Sequence, residues 1–154
     1  MIGSLNSEEI KALILESQFC RLACNAGGKS YIVPISFAVE DDKRLVGQTT
    51  IGRKVEMMRA NPQVCLCFDE IQDLTHWRSV IAWGTYEELQ GLHAAQAMGL
   101  LIDKYGPAFE ESKDADRRGR VVTPPRLDGE AAVAIVYRIT INEVTGRYEQ
   151  PTTG

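Results

Sequence analysis

The sequence contains few of the residues on which metal and nucleophile chemistry depend. Only two of its 154 residues are histidines, and its four cysteines (Cys20, Cys24, Cys65, Cys67) form no C-x-x-C pair. Zinc ribbons and thioredoxin-like sites need that spacing, and a Ser-His-Asp triad or a two-histidine metal centre has little material here. We therefore expect no metal site and no disulfide framework.

Long apolar runs and an excess of basic charge are also missing. The longest apolar run covers residues 131–137, whereas a membrane-spanning helix needs about 18 apolar residues. A net charge of -4 argues against electrostatic capture of nucleic acid or anionic lipid. The N-terminal residues are acidic where an export signal is basic, which predicts a cytoplasmic protein that binds neither nucleic acid nor membrane.

The composition is that of an ordinary globular protein, with 44% hydrophobic and 25% charged residues, and we expect one domain over residues 1–154. Ser7 is a candidate N-cap for the first helix, and a polar surface loop is expected at 106–130. The order of elements predicts a mainly β protein, a closed antiparallel barrel with accessory helices. Hydrophobic spacing and turn residues predict helices at 7–17, 52–60 and 93–105, and strands at 18–25, 29–39, 44–49, 64–70, 76–89 and 131–141.

Two residues indicate irregular positions within the predicted strands. Pro34 has no N–H to donate, so it should mark a sheet edge or an irregular stretch, where backbone groups stay free to bind something else. Gly84 indicates a bend or a bulge in the strand at 76–89.

The segment Thr-Thr-Ile-Gly-Arg-Lys at 49–54 is the most informative for function. Its hydroxyls, glycine and basic pair lie at a predicted helix start, where backbone amides point outward and favour an anion such as phosphate. The alternative is a solvated basic pair. That arrangement opposes the helix dipole and is less favourable than an acid at the same place.

The remaining candidates are aromatic residues and a histidine. Trp77 and Trp83 share one face of a regular strand and serve either as core or interface anchors or as platforms for a planar cofactor. His76 lies at a strand end, either at a cleft or simply partly exposed. His93 is expected on the surface at a helix start.

Four segments in order carry a resemblance: YIVPISFA, RLVGQTTIGRKVEMMRANPQVCLCFDE, HWRSVIAWGTYEEL and VYRITINEVTGRYE. Together they resemble the pyridoxamine 5'-phosphate oxidase-like FMN-binding split β-barrel family, and most closely its nitroimidazole-reductase-like branch. The resemblance runs from about residue 8 to residue 149.

The resemblance implies a six-stranded antiparallel split β-barrel that forms a homodimer with FMN in clefts at the subunit interface. By position, the strand that would lie along the isoalloxazine ring carries Val33, Pro34, Ile35 and Ser36. Beside the ring and the ribityl chain would lie Gln48, Thr49 and Thr50, and at the phosphate Arg53 and Lys54. A further strand along the cofactor would contribute Trp77, Arg78 and Ser79.

Two departures from the family pattern bear on the reaction. Gln48 stands where the nitroimidazole-reductase-like branch commonly has histidine, and an amide hydrogen-bonds but does not titrate. Pyridoxamine phosphate oxidases bind the substrate phosphate with a C-terminal segment, and we recognise no counterpart of it in this sequence. Oxidation of pyridoxamine phosphate itself is therefore not expected. The catalytic residues remain unassigned.

The expected function is that of an FMN-dependent oxidoreductase acting on a small organic molecule at a dimer-interface cleft. A non-catalytic flavin-binding or sensing module is the main alternative, because no titratable catalytic side chain is evident. A split barrel that binds heme, with His76 as the candidate ligand, or a deazaflavin is the other.

Overall fold

The computed structural model describes residues 1–115 and 134–152, with side chains for 1–106 and 134–152. Eight strands and three helices occur in these ranges. None of the described helices is both long and apolar enough to cross a membrane. The elements are, in chain order, β1 (Ile2–Ser4), α1 (Ser7–Glu16), β2 (Cys20–Ala26), β3 (Lys29–Ile35), β4 (Ala38–Asp41), β5 (Arg44–Thr50), α2 (Arg53–Ala60), β6 (Gln63–Asp73), β7 (His76–Glu88), α3 (Gly91–Ala115) and β8 (Ala134–Glu149).

All the strand pairings are antiparallel. The strand order is β3-β2-β6-β7-β8-β5-β4, with β1 paired to the end of β8. Because β3 and β4 are the two ends of this order, the sheet curves without closing. The closed barrel predicted from element order is therefore wrong, and the split barrel implied by the resemblance is confirmed. Its described sheet has eight strands and not the expected six, since β1 joins β8 and β3 and β4 are separate strands.

The main core lies on the inner face of the sheet. Inward-facing residues of β2, β6 and β7 such as Leu22, Leu66 and Val80 are fully buried, and Leu13 of α1 packs into the same cluster. A second, smaller cluster forms where α3 covers the other face of β4 and β5, with Ala97 and Leu101 packed against Ala38 and Val46. Burial of each leucine or valine side chain in these clusters stabilises the fold by roughly 1.5–3 kcal/mol.

The β2–β3 hairpin turns at Gly27 and Gly28, whose φ angles of 59° and 75° suit glycine and a two-residue turn. Pro34 lies on β3 and pairs with Arg21 of β2, and β3 is an edge strand, which is one of the two places expected for Pro34. The pairing of β7 with β8 shifts register between Trp83 and Gly84, which confirms the predicted irregularity. A side chain at Gly84 would meet the backbone oxygen of Thr140 at 2.7 Å, so the bulge requires glycine.

The strand predicted at 29–39 is divided into β3 and β4 at residues 36–37, and three other local predictions are also wrong. Asn6, and not Ser7, caps α1, because its side-chain oxygen accepts the Glu9 N–H at 2.9 Å while the Glu9 carboxylate accepts the Asn6 N–H at 2.7 Å. The strand β6 does not end at residue 70, as predicted, but at Asp73, because its pairing with β7 extends to His76.

The third concerns the end of α3, which was expected before Gly106 and Pro107. The helix continues to Ala115. A proline inside a helix removes one backbone hydrogen bond without necessarily ending the helix. Residues 106–115 are therefore helical and not part of a loop, and the rest of the loop expected at 106–130 lies outside the described residues.

Tyr137 carries an internal polar group that the fold does not satisfy. Its ring packs against Gly47, where an added Cβ would lie 2.5 Å from the ring, and the residue is only 1% exposed. Within the described part of the chain its hydroxyl has no hydrogen-bond partner. Burial raises the pKa of this hydroxyl, so it stays protonated.

Tyr137→Phe should leave the free energy of unfolding unchanged or raise it by about 1 kcal/mol, because it removes a buried hydroxyl that has no partner. Urea unfolding measures the change. Tyr86→Phe is the matched comparison, since the Tyr86 hydroxyl donates to Glu88 Oε1 at 3.0 Å, and it should lower the same quantity. Equal losses in the two variants would contradict this account of Tyr137.

Candidate functional site

The site is built on the interruption of the sheet. The strand β4 pairs with β5 only through Val46, Leu45 and Arg44. Residues 47–50 of β5 therefore have β8 on one side and no strand on the other among the described residues. The outward edge of β3 is likewise unpaired.

These two edges border the same gap, which we call the split. Only Ser36 and Phe37 separate β3 from β4, and β5 runs antiparallel to β4, so its second half returns along β3. Unpaired strand edges present rows of N–H and C=O groups. The split is therefore suited to a planar molecule that carries its own donors and acceptors.

Both edges of the split expose polar groups. On β3, Pro34 is exposed and Ser36, just beyond the strand, is half-buried. On β5, Gln48, Thr49 and Thr50 are all half-buried. Among the described residues the Gln48 amide has no hydrogen-bond partner, and the Thr49 hydroxyl makes only a long 3.4 Å contact to the carbonyl of Thr50. These side chains are thus available to a ligand.

The N-terminus of α2 follows directly on β5. Its N-cap is Gly52, which offers no side chain to the amides of the first turn. In the described part of the chain neither Arg53 nor Lys54 makes an ion pair, and Arg53 is exposed while Lys54 is half-buried. Free amides and uncompensated cations at a helix N-terminus form an anion site.

The electrostatics of Lys54 support this interpretation. Burial lowers the pKa of the Lys54 ammonium, and the nearby Cys24 thiol partly opposes that shift. The helix α2 packs against β2, so Lys54 lies near the end of the sheet that β2 and β3 form. A bound anion would stabilise the charged form of Lys54.

Nine of the twelve predicted cofactor-site residues lie around this gap: Val33, Pro34, Ile35, Ser36, Gln48, Thr49, Thr50, Arg53 and Lys54. Trp77, Arg78 and Ser79 do not. Ser79 pairs with Arg147 near the end of β8, whereas Gln48 pairs with Val136 near its start. These partners are eleven residues apart, or about 35 Å along the strand.

Near the end of β8, two of these three predicted residues contact carboxylates. The Trp77 indole N–H donates to Glu149 at 2.9 Å, and Arg78 contacts Glu70 at 2.7 Å and Glu16 at 2.8 Å. His76 lies beside them, with Nδ1 2.9 Å from an oxygen of Asp73. The adjoining cavity of about 270 Å³ is slightly below the roughly 300–1,000 Å³ typical of ligand pockets.

An apolar patch lies on the outer face of the sheet between the two ends. One row runs in register from Ile32 across β2 and β6 to Trp83. The next runs from Pro34 through Arg21, which is ion-paired to Asp69, and Cys67 to Ile81, so the patch encloses one charged side chain. Ile32 is 64% exposed and Trp83 is 40% exposed. We call this the outer-face patch, and it consists of Ala23, Ile32, Pro34, Cys65, Cys67, Ile81 and Trp83.

One contact at the split was not indicated by the sequence. Tyr105 and Lys104 of α3 hydrogen-bond the backbone of Phe37, at the corner between β3 and β4. Helical spacing placed Tyr105 on the apolar stripe of α3, and it is buried there. No local signal could show which strand its hydroxyl would meet.

Comparison with known proteins agrees with this architecture. A FAD-binding protein from Mesorhizobium loti has a TM-score of 0.74 at 27% identity over 98% of both chains. A candidate 5-nitroimidazole antibiotic resistance protein from Bacteroides thetaiotaomicron has a TM-score of 0.68 at 17% identity, over 96% of this chain and 87% of that one. The heme storage protein HutZ from Vibrio cholerae has a TM-score of 0.64 at 15% identity, over 89% of this chain and 91% of that one. The last two likenesses concern the fold alone.

The sequence comparisons extend over nearly the whole chain. An uncharacterized protein from Rhizobium meliloti is 30% identical over 146 residues, which are 93% of this chain and 92% of that protein. A sequence model of pyridoxamine 5'-phosphate oxidase matches residues 6–148. The chain therefore belongs to the pyridoxamine 5'-phosphate oxidase family, whose split-barrel members include flavin-binding proteins.

Proposed function

We propose that this protein binds FMN in the split and is a flavin-dependent oxidoreductase for a small organic molecule. The observation that carries the proposal is the junction of two unpaired strand edges with an uncompensated basic pair at the N-terminus of α2. A flavin has the matching parts, a planar ring with its own hydrogen-bonding groups and a phosphate at the end of a flexible chain.

The residues present fit that group. The backbone edge of residues 33–36 would lie along the ring, with Gln48, Thr49 and Thr50 beside the ring and the ribityl chain. Arg53 would bind the phosphate through its planar fork and Lys54 as a compact charge. FMN ends at this phosphate, and the exposed helix start can accept one terminal dianion without a further nucleotide pocket.

Bound flavin would supply the electron transfer, and the chain would supply orientation, hydrogen bonds and exclusion of water. None of the nine residues at the split is a histidine or a carboxylate. Gln48 can donate or accept a hydrogen bond at the ring or at a substrate, but it cannot transfer a proton as an acid or base. The protein is therefore proposed to orient the reactants rather than to move their protons.

We further propose that the protein is a homodimer in which the outer-face patch is covered by a second copy. An exposed apolar patch on one sheet face is typical of an interaction surface, and a twofold interface buries the same patch on both subunits. Through β2 and β6, Ile81 lies three strands from Pro34, which is about 14 Å, so the neighbouring residues 77–79 do not border the split of their own chain. In the dimer, Trp77 and Ser79 of the partner subunit would complete each cleft.

The first prediction concerns the phosphate end. Arg53→Ala combined with Lys54→Ala should weaken FMN binding at least about a hundredfold, because two charge-assisted contacts of roughly 1.5–3 kcal/mol each are lost. Quenching of flavin fluorescence measures the affinity. The double variant Lys11→Ala, Lys43→Ala removes the same charge at the other end of the barrel and should bind normally.

If the folded Arg53, Lys54 double variant binds FMN with wild-type affinity, the assignment of the phosphate site is wrong. The absorbance spectrum of the wild-type protein also tests the cofactor, since flavin, deazaflavin and heme have distinct bands. Titration with FAD in parallel decides between the two flavins. A heme spectrum would favour a heme-binding barrel, with His76 as the candidate ligand.

The second prediction concerns the shared cleft and uses mixed subunits. The Arg53, Lys54 double variant and a Ser79→Tyr variant, which obstructs the outer face, should each bind FMN poorly alone. When they are unfolded together and refolded, half of the dimers are mixed and each has one intact cleft, so binding should return to about a quarter of all sites. Dimers without recovered binding would show that each cleft is built from a single chain.

The third prediction separates an enzyme from a flavin-binding sensor. With FMN bound, the protein should reduce a quinone or a nitroaromatic compound with saturable kinetics when a reduced nicotinamide is the electron donor. Stopped-flow absorbance of the flavin band measures both half-reactions. Slow reoxidation by every acceptor tried would favour the sensing module, in which the cofactor mainly stabilises the folded dimer.

A further inference from the structure

The corner between β3 and β4 is held by one tyrosine hydroxyl of α3. The backbone N–H of Phe37 donates to Tyr105 Oη at 3.0 Å. The same oxygen lies 2.9 Å from the Phe37 carbonyl and 2.6 Å from the Gln18 carbonyl, to which it can donate. Tyr105 thus contacts both backbone groups of a single residue at the corner and links that corner to the segment before β2.

Lys104 makes a parallel set of contacts at the same place. Its Nζ donates to the carbonyls of Phe37 and Ser17, both at 2.8 Å, and lies 3.7 Å from the centroid of the Phe37 ring. No carboxylate among the described residues pairs with this ammonium. A half-buried lysine that binds carbonyls and an aromatic face acts here as a clamp on the backbone and not as one half of an ion pair.

Phe37 itself is fixed on its other side by the core. It is 1% exposed, and its ring packs edge to face on Phe68 at 5.3 Å. Side chain, N–H and C=O of this residue are therefore all constrained. Such fixation is unusual for a connection of two residues, which more often has free backbone groups that bond to water.

The corner joins the β3 edge of the split to β4, which pairs with β5. Ser36 and Phe37 are the only residues between β3 and β4, and β4 sets the start of β5 through its pairing at Leu45 and Val46. Rotating the Phe37 peptide would swing the edge of β3 toward or away from residues 47–50. The hydrogen bonds from α3 oppose that rotation at the corner itself.

We propose that Tyr105 and Lys104 are positioning residues for the flavin, which hold the β3 edge at the spacing that the ring requires. This rests on the proposed function, since it assumes that the ring lies in the split. Neither side chain needs to touch the cofactor, because the effect passes through Phe37 and Ser36 to residues 33–35. The helix α3 thereby becomes part of the binding apparatus although it packs on the outside of the sheet.

The test is Tyr105→Phe, which removes the hydroxyl and keeps the ring. Flavin affinity should fall about tenfold, and the visible absorption band and the reduction midpoint of the bound flavin should change because its surroundings have moved. Lys104→Met, which keeps the apolar stem, should act in the same direction. Tyr86→Phe is the matched control, since it also removes a hydrogen-bonded hydroxyl from a buried tyrosine, but that hydroxyl donates to Glu88 of its own strand and not to the corner.

The outcomes separate this inference from the proposed function. If the wild-type protein binds no flavin, the proposed function fails and this inference fails with it. If the wild type binds flavin and Tyr105→Phe matches Tyr86→Phe in affinity, band shape and midpoint, only the positioning role is overturned. If Tyr105→Phe does not fold, Lys104→Met decides the matter by the same three readouts.

Discussion

The early end of the pairing between β4 and β5 is the constraint on which the rest of the structure depends. The strand β4 is four residues long and pairs only with residues 44–46 of β5. The remaining backbone of β5 therefore has no second neighbour among the described strands. The other end of the sheet, β3, has no further strand to join either. A sheet that closed here would satisfy these groups internally and would leave no place for a planar ligand.

Open edges normally invite pairing with another chain, and this fold limits that risk in two ways. Pro34 removes a donor from β3, and the corner at Phe37 is fixed by its own core contacts and by α3, so the edge cannot easily shift to recruit a new strand. The same rigidity suits a binding site, because an edge held in place loses little conformational entropy when a ligand arrives. Stability of the split and affinity for the ligand thus have a common source.

The long strand β8 explains why one chain does not assemble the whole predicted site. It pairs with β5 at its start, with β1 at its end and with β7 along most of its length, so the strands that carry residues assigned by the family pattern to one cofactor pair with opposite ends of it. Between these ends lies the outer-face patch, whose alternation with buried residues such as Leu22 and Leu66 follows from the period of two in a strand. An apolar face of this kind between two half-sites fits a twofold arrangement, in which each half meets its complement on the other subunit.

The sequence by itself determined the local pattern and the family. Alternation and turn residues located most strands, Pro34 indicated an edge, and residues 49–54 predicted a helix start with a free basic pair, because each of these signals depends on neighbours within a few positions. Only the tertiary structure decided that residues 77–79 lie away from Gln48, that α3 continues past Pro107, and that the hydroxyl of Tyr105 meets Phe37, 68 residues earlier in the chain. Such contacts follow from strand order and from how far each pairing extends, and no local spacing encodes either.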